Sequence, residues 1–442
     1  MKLTPSQKEQ LSRPRPFLLL AILGTFGLPW IFLFWSGLQA RQQQAQMDAE
    51  ANTFFAQIPT YPQNAAAKRF DQLAADLGFI PNDSSSLIRV RAEAELAYQA
   101  IGAPLSDFLQ RQTTKIAGPL EALPPPLSAY LNAYRETIAA AQSQILKSEA
   151  PQWEMNFEQM FSLNYSFPGF VNVFNVQKLL LLSAIDASQK GQPEEALVAL
   201  EASWRLNQAI ARRPDLVSQM LVSVVSAQQA GILRHLDQVP DLWQARLAQQ
   251  IQQQSVLAGL QFDAWLQYKI SQKSLMLLIS HPAGEAGPQE KLSAALSYWF
   301  SPAYYLELTA IDTTQTVHRA LYKLSTLDVC STSQPVAEQI VMQEETARWN
   351  SAVAVAPAVL ARRWQEAGDR ALTLELAQKV LQAKQLSKVG QWPDQLSDLA
   401  SEVCPGERWV YKRTDDNTIT LSLSAQREAT SVAPLSYRST GK

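Results

Sequence analysis

The sequence contains few of the residue types that build metal and nucleophilic sites. Its 442 residues include only two cysteines, Cys330 and Cys404, and three histidines, His235, His281 and His318. Neither cysteine has a CxxC neighbour and no histidine belongs to an HExxH spacing, so we predict no metal site. The chain also lacks a Gly-x-Ser-x-Gly elbow. We therefore predict no catalytic residue, no cofactor-binding residue and no cofactor.

Charge is scarce as well. Charged residues make up 18% of the chain, whereas soluble domains typically carry about 25%. The net charge is −2 and no long basic run occurs, so we predict no nucleic-acid partner. The acid pairs Glu194-Glu195, Glu344-Glu345 and Asp415-Asp416 are assigned to a helix start, a solvated helix face and a hairpin turn, rather than to acid–base chemistry.

One long uncharged apolar run stands near the N-terminus. Phe17 to Leu38 has the sequence FLLLAILGTFGLPWIFLFWSGL, and at about 1.5 Å per helical residue it spans roughly the 30 Å of a hydrocarbon core. It predicts a transmembrane helix over 17–38, with Trp30 and Trp35 toward the outer interface. A cleaved signal peptide would have a shorter apolar core and a small-x-small site, which Leu38-Gln39-Ala40 matches poorly. We favour an uncleaved signal-anchor.

The charges that flank this run predict its orientation. Four cations precede it against one acid: Lys2, Lys8, Arg13, Arg15 and Glu9. After the run, Arg41 is the only cation close to its C-terminal end. The positive-inside rule then places residues 1–16 in the cytoplasm and the bulk of the chain outside. The predicted location is a bacterial inner or equivalent membrane, crossed once, with the bulk in the periplasm.

Residues 39–62 are predicted to form a stalk, because helix formers continue to the breakers Pro59 and Pro62. Residues 63–365 are predicted to form a helical extracytoplasmic domain, since apolar residues recur at helical spacing. Within it we expect one helix to start at Pro104, one to cover 127–146 and a long one to cover 241–279, with a possible interruption at Gly259.

The stretch from Trp153 to Phe170 is dense in aromatic residues and has no clean periodicity. Two interpretations are open. It is either a buried connector between helices or a groove for a hydrophobic partner or lipid.

Val173 to Val239 predicts three successive helices. Gly191 and Pro193 mark the first turn, and Glu194 and Glu195 follow at the positive end of the second helix. The phrase GQPEEALVALEASWRLN resembles the second half of a tetratricopeptide unit. This resemblance implies a helical hairpin that stacks on its neighbours, although no second copy follows at the family period of about 34 residues.

Residues 366–425 are predicted to form a small α+β module. A helix over 369–388 is followed by two short alternating strands, around Trp409 and Ile419, that flank a turn at 415–417. The module therefore ends in a β-hairpin. Residues 426–442 are predicted to be a disordered tail, because they lack periodicity.

The module carries a second resemblance. Trp392-Pro393-Asp394-Gln395-Leu396-Ser397-Asp398-Leu399 after a helix is similar to the soluble end of type II secretion pseudopilins. The chain departs from pilins because no Gly-Phe-Thr-x-x-Glu processing motif precedes its anchor. It also looks like the C-terminus of uncharacterised bacterial single-pass envelope proteins that pair such a module with a tetratricopeptide-like hairpin. The resemblance implies a shared small module rather than a pilus subunit.

The predicted fold class is mostly α, with an N-terminal transmembrane helix, an extracytoplasmic helical domain and a small α+β module. Cys330 and Cys404 form either a disulfide or two separate small buried hydrophobes. The predicted function is a membrane-anchored scaffold or protein-interaction protein whose partners are the lipid bilayer and an envelope protein. The alternatives are an unrecognised envelope hydrolase and a carrier of a hydrophobic ligand that uses residues 153–170.

Overall fold

The computed structural model describes residues 28–80, 88–162, 170–250, 253–279, 302–343, 356–387, 391–414, 417–424 and 436–440. The protein is 69% helix with a small three-stranded antiparallel sheet at its C-terminus. The predicted mostly-α class with a small C-terminal sheet is confirmed. The chain divides into two compact units, residues 1–59 with 285–311, and residues 60–284 with 312–442.

In the first unit, helix α1 (Leu28–Ala56) continues beyond Leu38, where the predicted anchor ends, and stops three residues before Pro59. Its outer part buries Met47, Ala51 and Phe55. These residues are spaced four apart, so they form one stripe along the helix.

The predicted anchor falls only partly within the described residues. Trp30, Trp35 and Leu38 belong to α1. Phe17 and the rest of 17–27 lie outside the described residues, as does the predicted cytoplasmic segment 1–16.

The helices that follow α1 are α2 (Ala65–Asp76), α3 (Ala92–Thr114), α4 (Pro125–Ala133), α5 (Arg135–Lys147), α6 (Phe157–Met160), α7 (Phe170–Gln189), α8 (Pro193–Ala211), α9 (Leu216–Leu233), α10 (Leu242–Gln250), α11 (Gln253–Ile279), α12 (Pro302–Thr326), α13 (Gln334–Met342) and α14 (Ala356–Leu386). The predicted succession of three helices over 173–239 is confirmed by α7, α8 and α9. The boundary between the two units falls within α12.

A buried polar network joins α7, α8 and α9. The Ser203 hydroxyl donates to the Gln177 side-chain oxygen over 2.6 Å, and the Gln229 amide donates to the Ser203 hydroxyl over 2.8 Å. One turn away, the Asn207 amide donates to the Ser226 hydroxyl over 2.9 Å. Because unpaired buried polar groups are costly, these bonds fix the register of the three helices.

Helices α7 and α9 are long and apolar enough to cross a membrane by length and composition alone. In the most apolar 18-residue stretch of each helix, 67% of α7 and 56% of α9 is buried. Both helices also bury polar side chains, among them Gln177 in α7 and Gln229 in α9. A helix that exchanges hydrogen bonds with its neighbours in this way is typical of a protein core, so we assign both helices to the interior of the second unit.

Helix α14 contributes to three hydrophobic clusters among the described residues of the second unit. Leu374, Ala377 and Leu381 join the main cluster of α2–α5 and α7–α10. Leu372, Leu376, Val380 and Ala383 join a second cluster beneath the sheet. Leu360, Ala361 and Trp364 join a third cluster with α11, α12 and α13. The middle of α14 is therefore buried on nearly every side.

Two buried charges on α14 hold the loop that precedes the sheet. The Glu375 carboxylate accepts from the Ser401 hydroxyl over 2.6 Å and from the Glu402 backbone N–H. One turn later, the Lys379 ammonium donates to the Asp398 carbonyl over 2.6 Å. Hydrogen bonds to charged groups are among the stronger ones in proteins, so the loop is fixed to the helix.

The sheet has the order β1 (Trp409–Arg413), β2 (Thr418–Leu423), β3 (Ser436–Thr440), and both pairings are antiparallel. The predicted hairpin is β1–β2. The prediction that all of 426–442 is a disordered tail is wrong for 436–440, because these residues form β3. The Tyr437 ring is buried in the cluster under the sheet, and the Arg438 N–H donates to the Ile116 carbonyl over 2.9 Å.

Two predicted helix boundaries also differ. Pro104 lies inside α3 rather than at its start, because residues on both sides of it, such as Ile101 and Leu105, are buried on the same face. The predicted helix 127–146 is divided at Tyr134 into α4 and α5. Within the predicted helix 241–279 the structure has α10 and α11, and residues 251–252 lie outside the described residues. Gly259 does not interrupt α11, and its bare backbone lies against the Leu216 Cα.

The predicted boundary between 63–365 and 366–425 falls inside α14. Residues 312–442 belong to one compact unit with residues 60–284. The C-terminal module is therefore a lobe of the second unit rather than a separate domain, because it shares α14 with the helical body.

Two glycines give a matched test of the crossing between α3 and α9. A Cβ on Gly231 would lie 2.6 Å from the Thr113 Cα, whereas a Cβ on Gly102 would meet nothing closer than a Tyr98 ring carbon at 3.7 Å. We expect Gly231→Ala to lower the free energy of unfolding by about 1–3 kcal/mol through overpacking. Gly102→Ala should raise it by about 0.5–1 kcal/mol, because alanine favours a helix. Urea unfolding of the full chain measures both changes in the free energy of unfolding. Equal changes for the two variants would contradict the close contact between Gly231 and Thr113.

Candidate functional site

One concave surface lies between α5 and the α7–α8 hairpin. We call it the α5/α8 groove, and it has a volume of about 780 Å³. It is lined by Leu131, Arg135, Ile138, Ala139, Gln142, Ser143, Leu146, Lys147, Ser183, Asp186, Ala187, Lys190, Gln192, Glu195, Val198 and Ala199. The α5 residues are spaced three or four apart over three turns, so one wall of the groove runs along that helix for roughly 18 Å.

The turn between α7 and α8 sets the position of one groove wall. Gly191 has φ +69°, and its N–H donates to the Ser188 carbonyl over 3.1 Å. The Gln192 N–H donates to the Ala187 carbonyl over 2.9 Å. This is a Schellman closure, in which a glycine takes the left-handed position, and Pro193 then starts α8. The turn predicted from sequence at 191–195 is confirmed.

The floor of the groove is apolar and its rim is charged. Ile138 and Ala199 are buried in the floor, whereas Val198 is 45% exposed. On the α5 side, Arg135 and Lys147 stand twelve residues apart with exposed side chains. An apolar floor with a charged rim is the composition of surfaces that bind peptides and partner helices.

The lining residues favour binding over catalysis. None of the sixteen is a histidine or a cysteine. The Ser183 hydroxyl donates to the Leu179 carbonyl of its own helix over 2.9 Å, so it is not held by a base. A nucleophile needs an adjacent base, but Asp186 of the lining is paired with Lys190 and Glu195 accepts from the Gln192 amide.

The structure pairs Cys330 with Cys404 in a disulfide whose Cα atoms are 5.6 Å apart. The bond joins the segment between α12 and α13 to the loop that precedes β1. Both cysteines contact the cluster beneath the sheet. The cross-link thus ties the sheet lobe to the helical body at a point away from the groove.

The described part of the aromatic stretch is core. The Trp153 ring packs edge-on against Phe70 and Phe170, each with centroids 5.6 Å apart, and its indole N–H donates to an Asp71 oxygen over 3.1 Å. Phe157 is also buried. These contacts favour the buried-connector interpretation for 153–162 and 170, while 163–169 lie outside the described residues.

The histidines and acid pairs are not brought together where the structure describes them. His235 follows α9, and the His318 ring lies 4.3 Å from the Trp265 ring. Glu194 and Glu195 occupy the first turn of α8, as predicted. His281, Glu344-Glu345 and Asp415-Asp416 lie outside the described residues. Among the residues searched, no group of three or more His, Cys, Asp or Glu is placed to hold a metal ion.

Lys178 and Asp263 have shifted pKa values that the sequence does not predict. Burial lowers the pKa of Lys178 to about 8, and its ammonium lies over the Phe174 ring and donates to the Ser106 hydroxyl over 3.3 Å. Burial, opposed by the Leu216 N–H, raises the pKa of Asp263 to about 6. Nothing in the sequence marks either residue, because each shift arises from neighbours distant along the chain. Neither residue lines the groove.

Comparison with protein-family models, curated proteins and solved structures finds no match to this chain. The two family resemblances therefore depend only on the phrases GQPEEALVALEASWRLN and WPDQLSDL.

Asp263 yields a prediction for pH dependence. Its pKa near 6 in the folded chain lies above the ordinary value of 3.8, so the folded state binds the proton more tightly. The free energy of unfolding is therefore highest, as far as Asp263 is concerned, below about pH 4, and it falls as the pH rises through 6 and the carboxyl loses its proton. Asn keeps an oxygen for the Leu216 N–H without the buried charge.

We expect Asp263→Asn to raise the free energy of unfolding by about 1–3 kcal/mol at pH 7 and to flatten its slope between pH 4 and 6. Denaturant unfolding across this range measures both effects. Asp107→Asn, which alters an exposed carboxyl on α3, is the control. A slope that Asp263→Asn leaves unchanged would contradict the assignment.

Proposed function

We propose that this protein is a membrane-anchored interaction protein of the bacterial envelope. Residues 17–38 cross the membrane once, the N-terminus is cytoplasmic, and the bulk of the chain presents the α5/α8 groove outside. The observation that carries the interaction role is the groove itself, because it combines an apolar floor with a charged rim.

The sequence supports the transmembrane anchor and its orientation. The uncharged run from Phe17 to Leu38 is long enough to span a bilayer, and the cations before it favour a cytoplasmic N-terminus. The disulfide between Cys330 and Cys404 agrees with an oxidising compartment, because structural disulfides are rare in reducing cytoplasm.

The groove fits an amphipathic helix of a partner. A wall of roughly 18 Å along α5 matches about three turns of helix, and the floor offers apolar contacts at helical spacing. Lys190 forms an ion pair with Asp186 over 2.5 Å, whereas Arg135 and Lys147 are exposed cations on the α5 side of the groove. We therefore expect acidic residues along one flank of the partner helix.

Val198 gives a test of both location and binding. In the Val198→Cys variant the new thiol stands in the groove, while the native cysteines are paired. A membrane-impermeant maleimide should label this variant in intact spheroplasts. Labelling only after lysis would contradict the proposed topology.

A photoreactive amino acid at Val198 tests the partner. It should give an adduct with one envelope protein, through a segment that is helical, apolar on one face and acidic on one flank. The adduct should disappear in an Arg135→Glu background. The matched control places the photoreactive group at Val217, which is exposed on α9 outside the groove. Equal adducts from both positions, or no effect of Arg135→Glu, would contradict the groove as the binding surface.

A further inference from the structure

A second concave surface lies where the sheet lobe meets the helical body. We call it the C-terminal cleft, and its volume is about 810 Å³. It is lined by Ala117, Gly118, Pro119, Leu120, Ser188, Gln189, His235, Asp237, Gln238, Lys384, Ser387, Trp392, Tyr437, Arg438 and Ser439. These residues come from five separate parts of the chain, so only the folded unit creates the cleft.

The wall of the cleft is built around the end of α9. The Lys384 ammonium donates to the Arg234 carbonyl over 2.6 Å and also to the Leu236 carbonyl. The Tyr437 hydroxyl donates to the same Arg234 carbonyl over 3.2 Å. These bonds satisfy the carbonyls that a helix end leaves open and place a cation at the negative end of the helix.

Arg234 is a fully buried cation behind this wall. Its Nη2 donates to the Thr113 carbonyl over 2.6 Å, but Nε and Nη1 are buried without a hydrogen-bond partner among the described residues. Burial lowers its pKa to about 10, and the nearby Tyr437 hydroxyl opposes this shift. A buried charge without a counter-charge is expensive, so the site favours an added anion.

The described lining of the cleft carries more cationic than acidic side chains. Burial, with Arg234 and Lys384 as nearby cations, lowers the pKa of His235 to about 3, so its imidazole is neutral at physiological pH. Lys384 and Arg438 both line the cleft, and Asp237 is the one carboxylate among its described lining residues. An anion would therefore meet two cationic side chains and one acidic side chain in this part of the cleft.

Two further side chains at the cleft carry hydrogen-bond donors. Trp392 lines the cleft, and its indole N–H is buried without a hydrogen-bond partner where the structure describes its surroundings. The Arg438 guanidinium is exposed at the cleft, while its backbone N–H is bound to the Ile116 carbonyl. An indole donor and a guanidinium suit an oxyanion, because both only donate hydrogen bonds.

We infer that the C-terminal cleft binds an oxyanion, the carboxylate or phosphate group of a small solute, through Arg438, Lys384 and the Trp392 indole, with the buried Arg234 charge behind them. The volume is within the range of small-molecule sites. This site is separate from the α5/α8 groove and does not depend on the proposed partner.

Calorimetric titration of the full-length chain in detergent tests this inference. The probes are inorganic phosphate and citrate, each titrated at constant ionic strength set with sodium chloride. At least one probe should bind. Arg438→Gln should weaken that binding about tenfold, because it removes one charge-assisted contact while the backbone of β3 stays in place.

The matched control is Arg408→Gln, which removes an exposed guanidinium on the same lobe outside the cleft. It should leave the affinity unchanged within twofold. Binding of phosphate alone identifies a phosphate site and binding of citrate alone identifies a carboxylate site. The inference is overturned if neither probe binds below millimolar concentration, or if Arg408→Gln weakens binding as much as Arg438→Gln.

Discussion

Burial of α14 by three hydrophobic clusters at once is the constraint on which the second unit depends. Its Leu374 and Leu381 face the helical body, while Leu376 and Val380 face the sheet. Such a helix has no solvent face in its middle turns, so any shift that improves one contact loses another. The charge of Glu375 is tolerated there because the 401–402 segment supplies two donors to it. The sheet lobe is thereby held in one position.

The two concave surfaces follow from different parts of this architecture. The α5/α8 groove is a local feature of neighbouring helices, and the Gly191 turn sets its shape. The C-terminal cleft requires the whole unit, because Arg438 comes from β3 and Lys384 from α14, while Arg234 ends α9. A loss of sheet docking should therefore remove the cleft and leave the groove intact. This difference separates the interaction role from the anion site.

The sequence predicts the features that depend on residues close together along the chain. The hairpin at Gly191 and Pro193 has the turn chemistry and periodicity of its own segment, and the β1–β2 hairpin is similarly local. Pro104 was misassigned because burial on both sides of it outweighs the cost of one lost hydrogen bond. Strand β3 was missed because Tyr437 gains its stability from α14 and from the Arg234 carbonyl, which lies 203 residues earlier.

The candidate sites were less predictable than the helices. The groove could be anticipated from the helical hairpin, whereas the cleft could not, since its cations are unremarkable in sequence. Arg234 ends a helix, where a cation is common. Only the folded arrangement shows that its guanidinium is buried, with no carboxylate partner in the part of the chain that the structure describes. The displaced pKa values of Asp263 and Lys178 have the same origin, because desolvation is a property of the packed unit.

Native-state hydrogen exchange of the α14 amides tests most directly whether this helix unites the second unit. If it does, the amides of residues 371–383 should exchange only through global unfolding, with the same free energy as the central amides of α8 and α9. Amides of β2 should exchange in the same event. Exchange of β2 and the C-terminal half of α14 at a lower free energy, while α8 and α9 stay protected, would contradict a single cooperative unit.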